Sequence, residues 1–214
     1  MNTCCQITDQ HFDAARARED LERYRSDGPD STTRVLLTMM EDAGAVITSH
    51  LDVGGGIGVL ALELLERKAA RSTIVEASSA NIEAARSAAE EKGCLDRITF
   101  VHGDAAEIGD QLPRADLVTL DRVICCYPDA DSLIRSSAAK ASTWYAASYP
   151  RDRWYVRLGI GFENLVRRLR GNPFRTFVHD PGLIHDRISE AGFTLHSRKR
   201  TFIWEMVLYH RESD

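Results

Sequence analysis

No apolar run in the 214 residues approaches the roughly 18 needed to cross a bilayer as a helix, so no membrane-spanning segment is expected. The opening residues, MNTCCQITDQHF, lack the apolar centre of a secretory signal, and a cytoplasmic location is the expectation. Cysteine is sparse as well. Five are present, an odd number without metal-ligand spacing, so neither a disulfide framework nor a metal site is expected. Cys4-Cys5 and Cys125-Cys126 are sequence neighbours, which seldom bridge, and all read as free thiols of a reducing compartment. Positive charge is also short. With 27 Lys and Arg against 32 Asp and Glu the net charge is −5, which removes any global attraction to a phosphate backbone and disfavours nucleic acid as a partner.

What the chain does have is one glycine cluster. Residues 51–58 read LDVGGGIG, with glycines at 54, 55, 56 and 58. A β-prone run over 46–53 leads in, and an apolar helical run over 59–65 leads out. Strand, glycine turn, helix is the arrangement that brings main chain close to a nucleotide-type ligand at a helix N-terminus. Two frames fit. Gly56, Gly58 and Ala61 give G-x-G-x-x-A, a dinucleotide fingerprint. Asp52, Gly54, Gly56 and Gly58 give the more demanding acid-x-Gly-x-Gly-x-Gly.

The rest of the chain alternates in a way that suits an α/β sheet. Helices are expected over 9–25 and 32–42, the second capped by Ser31. Strands are expected over 72–77, 97–102, 116–120 and 144–149, with helices over 79–92 and 132–140 between them. A helix over 185–191 and two β-runs, 193–199 and 202–210, close the chain. With 43% hydrophobic residues, 214 residues can bury one good core, so one domain is the default. Glu76 stands at the end of the second strand, where an acid can accept hydrogen bonds from both hydroxyls of a ribose. Asp121 ends the fourth strand, on the side where open parallel sheets place their crevice.

Residues 151–177 exceed what a minimal fold needs. Trp154, Leu158, Phe162, Leu165 and Leu169 recur at helical spacing, among the six arginines and only two acids of residues 151–170. Three readings stay open: an amphipathic helix packed on the body, a lid over a large or anionic substrate, or a membrane-surface contact, the last not favoured.

The acid-x-Gly-x-Gly-x-Gly frame resembles motif I of the class I S-adenosylmethionine-dependent methyltransferases. The order of parts, through TLDRVICCYPD to PFRTFVH and IHDRISEAGF, is similar to the magnesium-protoporphyrin IX O-methyltransferases over about residues 10 to 210. The resemblance implies a Rossmann-like fold: a mostly parallel seven-stranded sheet with a C-terminal antiparallel hairpin and helices on both faces. Within it, 1–45 would form an N-terminal helical cap, 46–150 the cofactor core, 151–180 a helical insertion or lid, and 181–214 the last helix and hairpin.

The implied cofactor is S-adenosyl-L-methionine, leaving as S-adenosyl-L-homocysteine. Its site would comprise Asp52, Gly54, Gly55, Gly56 and Gly58 at the methionine part, Glu76 and Ala77 at the ribose, and Gly103, Asp104 and Ala105 at the adenine, with Asp121 beside them. The family's proposed catalytic pair is an N-terminal tyrosine and a histidine before Tyr-Pro. Tyr24 is a counterpart of the first, but Cys126 stands before Tyr127-Pro128. Tyr24, Asp121 and Tyr127 are therefore the positioning candidates, with Arg122, Cys126, Arg151 and Trp154 as acceptor contacts. The segment after the fourth strand lacks an Asn-Pro-Pro-Tyr type of sequence, which favours a small-molecule acceptor, anionic or tetrapyrrole-like. A NAD-type oxidoreductase and a non-catalytic S-adenosylmethionine-binding module remain the alternatives.

Overall fold

A computed structural model describes residues 3–211, with side chains from residue 5 onward. Cys4 therefore lies outside the described side chains, while Cys94, Cys125 and Cys126 are free thiols.

Seven strands form one sheet: β1 (Ser49–Val53), β2 (Arg71–Glu76), β3 (Ile98–His102), β4 (Ala115–Asp121), β5 (Ala141–Pro150), β6 (Thr194–Arg200) and β7 (Trp204–His210). Their order is β3-β2-β1-β4-β5-β7-β6. The first five run parallel, and β7 lies antiparallel between β5 and β6. Every residue of β1 is buried, as expected of a central parallel strand covered on both faces.

The helices divide between those faces. α2 (Ala14–Asp27), α3 (Ser31–Asp42), α4 (Val59–Glu66) and α5 (Ser79–Glu91) pack around Leu36, Leu62, Ile74 and Leu117. α6 (Ala130–Ala138) and α8 (Pro181–Glu190) cover Leu51, Val118, Tyr145 and Val207 on the other side. The chain reverses direction across the sheet between β1 and β4, so the crevice of this fold opens at their carboxyl ends.

Several boundaries differ from expectation, each for a local reason. The helix expected over 9–25 is two: α1 (Thr3–His11) ends, and Asp13 caps α2 by accepting from the Arg16 backbone N–H at 3.0 Å. The run before β1 is loop up to residue 48, with Val46 83% exposed. α8 begins at Pro181 because Asp180 caps it, accepting from the Gly182 N–H at 2.8 Å. α7 (Trp154–Leu169) forms as expected, but its apolar row does not pack on the body, which corrects the first of the three readings.

Candidate functional site

The glycine turn follows β1 and is shaped by what surrounds it. Gly54, Gly56 and Gly58 all have positive φ, at 64, 56 and 81°, where side chains are strained. A Cβ at position 54 would lie 2.6 Å from the Val123 side chain. α4 starts directly from Gly58 with no side chain capping its first N–H groups, which leaves a helix N-terminus facing the turn.

Four carboxylates surround the turn, at or just beyond the ends of the neighbouring strands β3, β2, β1 and β4. Asp52 is buried; one oxygen accepts from the Thr119 hydroxyl at 2.6 Å, while Oδ2 has no partner. Burial, aided by Asp121 and Glu76, outweighs the Thr119 hydrogen bond and lifts Asp52 to about 7. Glu76 is buried and joins two loops: its oxygens accept from the Gly56 and Ser78 backbone N–H groups, each at 2.8 Å. Burial raises its pKa against those bonds. Asp104 accepts from the Ala106 N–H at 2.9 Å and from the Tyr127 hydroxyl at 2.9 Å. Asp121 accepts from Thr33 at 2.6 Å and also from Ser148. A cationic ligand with an ammonium and a sulfonium is the chemistry this anionic, glycine-lined cradle suits.

Behind the turn runs a buried row of side chains across β2, β1 and β4. His50 contacts Ser72 at 2.9 Å through Nδ1 and Thr119 at 2.7 Å through Nε2. Since the Thr119 hydroxyl donates to Asp52, it accepts from His50 Nε2–H, and Nδ1 is left to accept from Ser72. Burial drops His50 to about 3, so the ring is neutral.

On the acceptor side, Arg122 sits at φ 60°, a left-handed conformation uncommon for a residue with a side chain. Its N–H donates to Ser148 Oγ at 2.8 Å, and its guanidinium pairs with Asp30, the cap of α3. Cys125 and Cys126 follow, their sulfurs 3.9 Å apart, and the neighbouring thiol together with burial pushes Cys125 up.

Two remote segments flank the crevice mouth. Ser78, two residues beyond Glu76, donates to the Phe12 carbonyl at 2.6 Å, and the Ser79 N–H donates to Asp9. The 172–177 segment reaches in from the other side, with Phe177 N–H on the Cys125 carbonyl at 2.7 Å. His11 and Phe174 stack face to face at 4.0 Å and join the two. A surface depression of about 250 Å³, lined by Arg114 and Lys140 among others, shares none of the residues at the glycine turn.

The structure thus gathers Asp52, the glycines, Glu76, Ala77, Gly103, Asp104, Ala105, Asp121, Arg122, Cys126 and Tyr127 along neighbouring strand ends. Tyr24 stands elsewhere: its buried hydroxyl donates to Glu63 on α4 at 2.8 Å. Burial and that carboxylate raise its pKa far above the usual phenol range. Arg151 donates to the Thr201 carbonyl at 2.9 Å at the hairpin tip, and Trp154 is 77% exposed, so neither joins the cluster. Thr33, His50, Ser78, Thr119 and Ser148 were not legible as site residues. Only Thr33 carried a signal, in the Asp30-x-x-Thr33 spacing of a helix cap.

Residues 51–140 match the family model described as a methyltransferase domain. The fold is similar to that of magnesium protoporphyrin IX methyltransferase from Synechocystis PCC 6803. With SAH bound, that structure gives a TM-score of 0.73 at 19% identity, over 98% of this chain and 100% of that one. With SAM bound it gives 0.69 at 18%, over 99% of each. An O-methyltransferase family 2 protein from Planctomyces limnophilus, in complex with apigenin, gives 0.62 at 18%, over 89% of this chain and 64% of that one. The cyclase SpnF gives 0.69 at 14%, over 95% and 94%, so one fold serves more than one chemistry.

Residues 51–140 thus carry a methyltransferase domain, the mark of an enzyme that uses S-adenosyl-L-methionine, and the chain as a whole has the fold of the class I S-adenosylmethionine-dependent methyltransferases. It resembles magnesium protoporphyrin IX methyltransferase over nearly the whole length of both chains. Among the described residues no group of three or more His, Cys, Asp and Glu is placed to hold a metal ion, and no helix is long and apolar enough to cross a membrane.

Proposed function

We propose that the chain methylates an oxygen or nitrogen of a small-molecule acceptor by direct in-line transfer. S-adenosylmethionine supplies an activated sulfonium methyl group when bound. Asp52, Gly54, Gly55, Gly56 and Gly58 would hold its methionine part, Glu76 and Ala77 its ribose, and Gly103, Asp104 and Ala105 its adenine. The unpartnered Oδ2 of Asp52 and the space kept free of a Cβ at Gly55 fit such a ligand.

The small-molecule reading is carried by the crevice mouth. The Phe12 carbonyl and the Phe177 N–H are hydrogen-bonded to the strand-end loops and the His11–Phe174 stack joins the two segments, so the chain's own residues flank the opening, which supports a small acceptor. Arg122, Cys126 and Tyr127 would orient the acceptor, and Asp121, held by Thr33 and Ser148, would fix the loop that carries them. Their task is alignment and exclusion of water, worth up to about 7 to 11 kcal/mol in favourable cases. The proteins named as acting on magnesium protoporphyrin IX and as binding apigenin support an acceptor of that size, carboxylate-bearing and tetrapyrrole-like compounds included.

The test is a product assay with labelled S-adenosylmethionine against small carboxylates, phenols, magnesium-protoporphyrin, a protein mixture and RNA. Labelled small-molecule product is expected. Label in protein or RNA alone, or cofactor binding without turnover on any acceptor, would overturn the reading. Cys126 stands where the family it resembles has a histidine, and a thiol is a weaker hydrogen-bond partner than an imidazole, so magnesium-protoporphyrin is expected to be a poor substrate for wild type and a better one for Cys126→His.

A further inference from the structure

α7 presents opposite properties on opposite sides. Toward the body, Val156 is buried, Asn164 donates to the Thr176 carbonyl at 2.7 Å, and Arg167 donates to the Thr176 hydroxyl at 2.8 Å. At 3.6 residues per turn, the other side carries Trp154, Leu158, Phe162, Leu165 and Leu169 in one row. They are exposed by 77, 67, 68, 52 and 78%. A row of five large apolar side chains in water, roughly 22 Å long, is not an ordinary surface. It continues onto the β6–β7 hairpin tip: Tyr155 stacks on Phe202 at 4.6 Å, and Phe202 and Ile203 are themselves 72 and 45% exposed.

The charge around the row selects what can cover it. Arg157 pairs with Asp152 and Arg167 with Glu163, which leaves Arg153, Arg168 and Arg170 with no ion-pair partner among the described residues. Residues 152–170 hold five arginines and two acids, a local charge of +3 in a chain of −5. A second copy laid antiparallel on the row would set Arg153 against the Arg168 and Arg170 of its mate. An anionic surface attracts all three at once. Since no helix among the described residues can cross a bilayer, such a helix lies on it.

We propose that α7 and the hairpin tip dock on a bilayer surface rich in anionic lipid, with the apolar row entering the acyl boundary and the three arginines at the headgroups. The inference rests on the exposed face alone and holds whether or not the methyl acceptor is a small molecule.

The experiment is vesicle flotation of the full chain, with vesicles of phosphatidylcholine alone and of an equal mixture with phosphatidylserine. Wild type is expected to float with the mixed vesicles and to be released by high salt. Leu158→Asp/Phe162→Asp should remain unbound. Arg153→Gln/Arg168→Gln/Arg170→Gln should bind about a hundredfold more weakly, at roughly fivefold per charge removed. All five positions are exposed, so thermal melts of both variants should match wild type. Failure of wild type to float with mixed vesicles overturns the proposal. So does a wild-type dimer in sedimentation equilibrium that Leu158→Asp/Phe162→Asp converts to monomer, which would give the face to a second copy.

Discussion

Asp52 stands where a side chain on Gly55 would go. A Cβ at position 55 would lie 2.8 Å from Asp52 Oδ2 and 3.0 Å from Ile74. The one buried carboxylate oxygen without a partner among the described residues is thus kept open by the absence of a methyl group next to it. Gly55→Ala should displace Asp52 and destabilise the protein by about 1 to 3 kcal/mol, with loss of S-adenosylhomocysteine binding. Gly56 differs, since nothing lies within 4 Å of its Cβ position and only its φ of +56° resists substitution. Gly56→Val should stay folded and lose binding. Calorimetric titration and thermal melts separate the two; normal binding by either variant would remove the turn from the cofactor site.

Glu76 ties the second strand to the glycine turn through Gly56 and to the start of α5 through Ser78. Its removal should therefore act on both the turn and the ligand. Glu76→Ala is expected to weaken S-adenosylhomocysteine by about ten- to a hundredfold, the worth of roughly 1.5 to 3 kcal/mol for hydrogen bonds to a charged acceptor. Unchanged affinity in calorimetry would rule out the ribose role.

The cofactor end of this site was legible because its parts are short-range patterns: an acid, spaced glycines, and acids at strand ends. Pairings between distant segments were not. Tyr24 reads as a site residue only by its place in the chain order, and only the fold shows Glu63 on α4 beneath it. The α1–α2 break was missed because Phe12, Ala15, Leu21 and Tyr24 read as one broken apolar stripe over 9–25, and nothing in that periodicity reveals that Asp13 turns back as a cap. For α7 the apolar row was plain in the spacing. Periodicity records that a face is apolar and is silent on what covers it.

The buried pair Asp52 and His50 should mask each other in pH dependence. Asp52 is raised from 3.8 to about 7, so its contribution to stability is full below 3.8 and lost as pH rises through about 7. His50 is lowered from 6.5 to about 3, so its contribution is present above 6.5 and lost as pH falls through about 3. Between 3.8 and 6.5 the two slopes oppose, one proton each way. Asp52→Asn should leave stability rising with pH across that window, and His50→Gln should leave it falling, each by up to about 1.4 kcal/mol per pH unit. Urea melts at about pH 4.5 and about pH 6.5 read this directly. Parallel behaviour of both variants and wild type would refute the coupling.

Tyr24→Phe should be a stability variant. It deprives the buried Glu63 of one partner and leaves the Arg67 ion pair at 2.6 Å in place. A cost of about 1 to 2 kcal/mol is expected, with kcat unchanged on whichever acceptor is turned over. A large drop in kcat at full stability would return Tyr24 to the reaction.

The stack of His11 on Phe174 joins segments near opposite ends of the chain. The entropy of closing so long a loop grows with the logarithm of its length and is offset only once the intervening sheet has brought the ends together. The cover over the crevice is thus expected to close only after the sheet between its two segments has formed. A chain still emerging from the ribosome has the glycine turn and every parallel strand before it has a closed crevice, so folding itself delays the onset of ligand retention until Phe174 has been made.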